Sequence, residues 1–198
     1  MSAWWDNALG NSDLNSKVGS DQLRQRMAYA LSQLLVVSST IFPLNGRAEG
    51  LAYYYDILAE NAFGNYETLL RYVLRSPAMG VFLSSVMNQK ASLDKNTRPD
   101  ENLAREFMQL FTIGPYELEI DGSRKRDSDG KSIPTYTQND IVEMAKVLTG
   151  WNLFLFPNWG RLGKGYGSYQ HLMQFHPEKH EDELDEFYSK EQDPGIIT

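Results

Sequence analysis

The chain has 198 residues, 41% hydrophobic and 12% aromatic, enough for a sizeable core and too apolar for wholesale disorder. Its formal charge of -7 is concentrated: residues 178–193 hold eight acids against two lysines, a net of -6, which leaves -1 for everything else. The one basic cluster, Arg124-Lys125-Arg126, is hemmed in by Asp121, Asp127 and Asp129, which argues against nucleic-acid binding through phosphate neutralisation, and no apolar run approaches the ~20 residues of a membrane span.

In chain order, Met1 to Asp6 shows neither the basic nor the apolar segment of a secretion signal. Ser20 is placed to cap a helix over 21–37, with Leu23, Met27, Leu31 and Leu34 as its apolar stripe. Pro43 and Gly46 close that unit, and Leu51, Tyr54, Tyr55 and Leu58 mark a second helical face ended by Asn61 and Gly64. Asn65 caps a third helix that buries Leu69, Leu70, Val73 and Leu74, and Ser76-Pro77 opens a fourth over 77–87. After a polar stretch from Lys90 to Arg98, Pro99-Asp100-Glu101 starts another helix with acids at its positive dipole end, and Gly114-Pro115 stops it. On that helix Leu103, Phe107, Leu110 and Phe111 form the expected buried stripe.

Tyr116 to Ile120 alternates like a strand, Asp121-Gly122 and Asp129-Gly130 read as turns, and Ile133 to Tyr136 reads as the return, so a small hairpin is expected over 116–136. Thr137 with Asp140 three residues later is a capping-box start for a helix whose stripe is Ile141, Met144, Ala145 and Leu148, ended by Gly150. Residues 152–198 are irregular, first rich in glycine and aromatics and then acidic. The expectation is a mainly α, single-core multi-helix domain over 1–198 with a small inserted β-hairpin.

Several constellations could carry chemistry. Glu101 and Arg105, four apart, suit a helix-surface ion pair, and Glu106 on the flank of the stripe is either a member of that charge network or a half-buried general acid or base. His176 and His180 would share one face of a helix beside Glu178, Glu181 and Asp182, the arrangement a divalent metal wants, although the Glu placement of the His-Glu-x-x-His motif is missing. The glycines around Lys164 lack the Ser or Thr of a phosphate loop. The aromatics of that stretch, Trp159, Tyr166, Tyr169 and Phe175, suit either sugar stacking or pinning of a loop to the core. Asp127-Ser128-Asp129-Gly130 lacks the twelfth-position Glu of a calcium loop.

Two stretches, Pro99 to Gly114 and Thr135 to Trp151, together resemble the core of the bacterial domain-of-unknown-function-1800 family. The resemblance covers Asn102, Arg105, Glu106, Leu110, Gly114 and the run Thr149-Gly150-Trp151, alongside the cap pair Thr137 and Asp140. It extends to a His, here His180, which the family follows with Asp where this chain has Glu181. It implies an internal fragment of a longer exported protein, periplasmic or extracellular, often encoded beside a companion of a sulfatase-like family. Two functions are therefore expected in competition. One is a non-catalytic binding or scaffold module with no cofactor; the other is a metal-assisted hydrolase using His176, His180 and Glu106.

Overall fold

A computed structural model describes residues 21–155 and 167–181. The protein is mainly helical, with six α-helices and one two-stranded antiparallel sheet among the described residues. No helix among them is long and apolar enough to cross a membrane. The fold divides into two compact units, one formed by the residues up to Phe82 with Ser168–Leu172, the other by Leu83 onward without that pentapeptide.

The first unit contains α1 (Gln22–Leu34), α2 (Ala48–Glu60), α3 (Tyr66–Arg75) and α4 (Pro77–Phe82). Helix α2 is central and packs against the other three. Its Tyr54, Ile57 and Leu58 are buried, facing a core completed by Leu69, Leu70, Val73 and Met79. The Tyr54 hydroxyl donates to the Leu35 carbonyl at 2.5 Å, and burial pushes its pKa up. Near the start of the same helix Gly50 lets Tyr169 approach so closely that a Cβ would lie 2.9 Å from that of the tyrosine. The Arg47 guanidinium covers the ring from 5.1 Å.

Helix α1 departs from its expected orientation. Leu23 and Leu34 are 69% and 65% exposed, and Ala28 and Leu35 are buried instead. The reason is how α1 meets α2. Arg24 donates to the Ala59 carbonyl at 3.0 Å and the Tyr55 hydroxyl to the Gln25 carbonyl at 3.0 Å, so polar groups and one small side chain make the seam and turn the leucines outward. Ser20, the expected cap, lies outside the described residues; at the first turn the Asp21 carboxylate holds Arg24 at 3.1 Å and Gln25 at 3.3 Å. Helix α4 is also shorter than the expected 77–87, because the chain leaves helical geometry and Ser84 and Met87 adopt φ of 61° and 63°.

In the second unit α5 (Asn102–Glu106) winds directly into a π-helical turn at Phe107–Phe111, and α6 (Gln138–Val147) packs on α5. Leu103, Ala104, Phe111, Ile141, Ala145 and Leu148 are buried, but Leu110 is 65% exposed. The π turn explains Leu110. Its wider winding advances each residue by less than the 100° of an α-helix, so the stripe counted at 3.6 residues per turn drifts off the core.

Between these helices the expected hairpin limbs pair antiparallel, and a third limb is added to them to make a three-limbed loop. Tyr116 lies opposite Pro134, Leu118 opposite Arg124 and Arg126 opposite Ser132. The limbs bond in a cycle: Glu117 N–H to the Ile133 carbonyl at 2.9 Å, Ile133 N–H to Lys125 at 3.1 Å, and Lys125 N–H to Glu117 at 2.9 Å. Gly122 and Gly130, at φ 83° and 79°, make the two turns, as their Asp-Gly dipeptides indicate. The basic cluster is engaged within this loop: Arg124 stacks 4.2 Å above Tyr116, Lys125 pairs with Glu117 at 3.1 Å, and Arg126 donates to the Gly130 carbonyl at 2.6 Å. The two regular strands lie elsewhere, β1 (Trp151–Asn152) pairing with β2 (Gln174–Phe175), Trp151 opposite Phe175.

One cap offers a direct test of this reading. Asn65 accepts from the Glu67 and Thr68 N–H groups at 2.8 and 3.4 Å. Asn65→Ala should lower the unfolding free energy by about 1 kcal/mol in urea denaturation, and Asn65→Asp should leave it almost unchanged.

Candidate functional site

The signature residues of the second unit fall into a clamp between helices, a backbone crossing and an open groove. The clamp begins at Arg105, whose Nη2 donates to Glu101 Oε2 at 2.9 Å and which also reaches Gln138 Oε1 at 3.4 Å. Gln138 donates in turn to Glu101 Oε2 at 2.8 Å, closing a triangle between the start of α5 and the first residue of α6. Asn102 sits beside it, its N–H bonded to Asp100 Oδ1 at 2.8 Å. Glu106 is half-buried and is not a member of this triangle. Gly114, at φ 72°, donates to the Met108 carbonyl at 2.9 Å, and its own carbonyl accepts from the Thr135 hydroxyl.

Helix α6 starts with a complete capping box. Asp140 N–H reaches Thr137 Oγ1 at 3.4 Å, and Asp140 Oδ2 accepts from the Thr137 N–H and hydroxyl at 2.7 and 2.8 Å. Those two bonds hold the Asp140 carboxyl below the usual carboxylate range.

The crossing is centred on Gly150. Its N–H donates to the Asn88 carbonyl and its carbonyl accepts from the His176 N–H, both at 2.8 Å, while Met87 N–H donates to Trp151 at 2.9 Å. Three chain segments thus meet at one residue. With φ of 89°, a Cβ here would meet Phe175 Cε2 at 2.9 Å and both the His176 carbonyl oxygen and His180 Cβ at 3.1 Å. Asn88 extends the crossing to the signature helix by accepting from Asp100 N–H at 2.8 Å and donating to the Asp100 carbonyl at 3.2 Å. Trp151 packs on Phe175 with ring centroids 5.1 Å apart.

His180 is 0% exposed, its ring edge-on to Phe175. Its Nδ1 lies 3.0 Å from the Thr149 carbonyl and 3.1 Å from Thr149 Oγ1. A carbonyl only accepts, so Nδ1 carries the hydrogen. Thr149 Oγ1 also donates to the Lys146 carbonyl at 2.6 Å and accepts from Glu181 N–H at 3.2 Å, which makes this hydroxyl the junction between the end of α6 and the histidine.

His176 and His180 do not share a helix face. They flank a single 3₁₀ turn, Pro177–Lys179, with both backbones extended, because proline permits only a first turn and nothing continues it. His176 Nδ1 lies 3.5 Å from Glu178 Oε1, and His171 belongs to the other unit, 2.7 Å from Ser168 Oγ. Among the described residues no group of three or more His, Cys, Asp or Glu side chains is arranged to hold a metal. Tyr169 and Phe175 are packed into their respective units, whereas Trp159, Lys164, Tyr166 and Asp182 lie outside the described residues. Sequence reasoning missed Asn88, Gln138 and the role of Thr149. Only Gln138 carried a signal, as a polar residue directly after a helix cap.

The groove lies between the π turn and α6, with a volume of about 470 Å³. Phe107, Met108, Thr112 and Ile113 line one side, and Asp140, Glu143, Met144 and Val147 the other. Met144, expected in the core stripe, faces this groove half-buried. Helix α6 buries positions 141, 145 and 148, and its apolar arc is wider than the core can cover.

Two outcomes check this geometry. Gly150→Ala should destabilise the protein by about 3 kcal/mol or more in denaturant unfolding, since a left-handed φ and three close contacts oppose the methyl group together. Asp140, with its pKa depressed by folding, stabilises the fold fully above its unfolded pKa and ceases to do so as pH falls through the lowered folded value. The difference in melting temperature between the wild type and Asp140→Asn should therefore be full at neutral pH and shrink only in strong acid.

No curated protein and no solved structure matches the chain. The sequence profile of one family, described as protein of unknown function (DUF1800), matches residues 4–195, almost the whole length. With the clamp and the capping box formed by residues of its two signature stretches, and the crossing centred on a glycine of the second, the chain belongs to the DUF1800 family.

Proposed function

We propose that the chain is a non-catalytic binding module that docks a partner protein in the groove between the signature helices. The observation that carries this reading is the groove itself. Five of its eight lining residues are apolar, it is open to solvent, and Ile113 on its wall is 55% exposed, with Leu110 on the preceding π turn still more so. The polar signature residues are by contrast engaged: Arg105 by Glu101 and Gln138, Thr137 and Asp140 by each other, and Thr149 by the Lys146 carbonyl. Neither Glu106, His176 nor His180 lines the groove, so no observation favours the hydrolytic alternative. The family resemblance supports an exported bacterial setting, periplasmic or extracellular, and a companion of the sulfatase-like family as the partner docked.

A photoreactive residue at Ile113 tests this. Co-expressed with the neighbouring sulfatase-like protein, it should give a defined adduct. The same probe at Leu93, which is fully exposed and does not line the groove, should not. Adducts of equal yield from both positions, or none from Ile113, would remove the groove from the account.

A further inference from the structure

The groove's charge is as one-sided as its greasiness. Among its eight lining residues are two acids and no base, and both acids come from α6 at positions 140 and 143, on the same face as Met144 and Val147. No cation pairs with Asp140 among the described residues; its Oδ2 is held by Thr137, and those bonds keep it ionised far below neutrality. Glu143 shares its charge with Lys146 at 2.9 and 3.1 Å, but Lys146 does not line the groove. The apolar floor includes Met108 and Met144, whose unbranched thioethers repack around differently shaped side chains.

Resting on the docking reading above, we infer that the groove takes an amphipathic helix of the partner protein that carries lysine or arginine beside its apolar anchors. A helix laid along α6 would present anchors at i, i+4 and i+7 to the Phe107, Met144 and Val147 floor. Its flanking cations would then face Asp140 and Glu143. An anionic or neutral helix would bury the same apolar area while leaving two carboxylates facing like charge or nothing. Charge therefore selects the partner, and the apolar floor provides affinity for any helix of the right shape.

Two synthetic helical peptides separate these contributions. They share leucine anchors at helical spacing and differ only in having lysine or glutamate at the flanks. Titrated against the full chain by fluorescence anisotropy, the lysine peptide should bind roughly tenfold tighter at low ionic strength, the preference should fade with added salt, and Glu143→Lys should cancel or invert it. Ile113→Glu should weaken both peptides while the melting temperature holds.

Equal affinity for the two peptides, or a preference untouched by Glu143→Lys, overturns the cationic partner while leaving the groove as a docking site. Failure of both peptides to bind, or indifference of both to Ile113→Glu, overturns the docking reading as well. A dimer of the chain in sedimentation that Ile113→Glu dissolves would name a second copy as the occupant and also overturn the inference.

Discussion

The second unit depends on backbone meeting backbone at a residue without a side chain. At Gly150 the end of α6, the segment before the signature helix and the strand leading to His176 come within hydrogen-bonding distance of one another. Any Cβ would force them apart. Close approach of this kind exchanges conformational freedom for a fixed geometry, and the surrounding groups confirm that it is fixed. Asn88 ties the crossing to Asp100, Thr149 ties it to His180, and the imidazole, fully buried, packs against Phe175. A buried polar cluster like this one is stable only when its members find partners, which explains why a threonine, an asparagine and a histidine occur together where an apolar core would be simpler.

Above that crossing the two signature helices are joined by polar groups at one end and by apolar packing along their length. The triangle of Glu101, Arg105 and Gln138 is largely solvated, so its contribution is modest in energy and larger in register: three groups bonded in a closed ring permit one relative placement of the helix starts. The π turn then displaces the chain just where α5 would otherwise have continued its stripe into the core. The displacement brings Phe107 and Met108 against α6 from outside and leaves Leu110 in solvent. Groove and turn are one feature.

Much of this was legible from residue order alone. Helices with a glycine or proline stop and a capping residue at the start were found where expected, because those signals act locally and the residues carrying them have few alternatives. The α3 stripe and the capping box at Thr137 are of this kind. Leu23, Leu34 and Leu110 were misplaced for two different reasons. In α1 the partner helix accepts polar bonds from Arg24 and offers one to Gln25, so tertiary contact overrode periodicity; at Leu110 the period itself changed. The shared helix face of the histidine pair is absent for a third reason, since the spacing of His176 and His180 implies a shared face only on a helix, and Pro177 begins a turn too short to be one. Asn88 was invisible because its importance lies in what it reaches, Asp100 and Gly150, both far ahead of it along the chain.

The three-limbed loop after Gly114 has a root and an interior that answer to different forces. At the root, the Thr135 hydroxyl bonds the Gly114 carbonyl and the Thr135 N–H bonds the Pro115 carbonyl, so entry and exit are stitched side by side. Within, the limbs bond in a ring among themselves. The bonds that hold the limbs to one another are thus separate from those at the root, so lengthening or recharging the tips at Asp121-Gly122 and Asp129-Gly130 leaves the Thr135 stitch, and with it the spacing of entry and exit, intact.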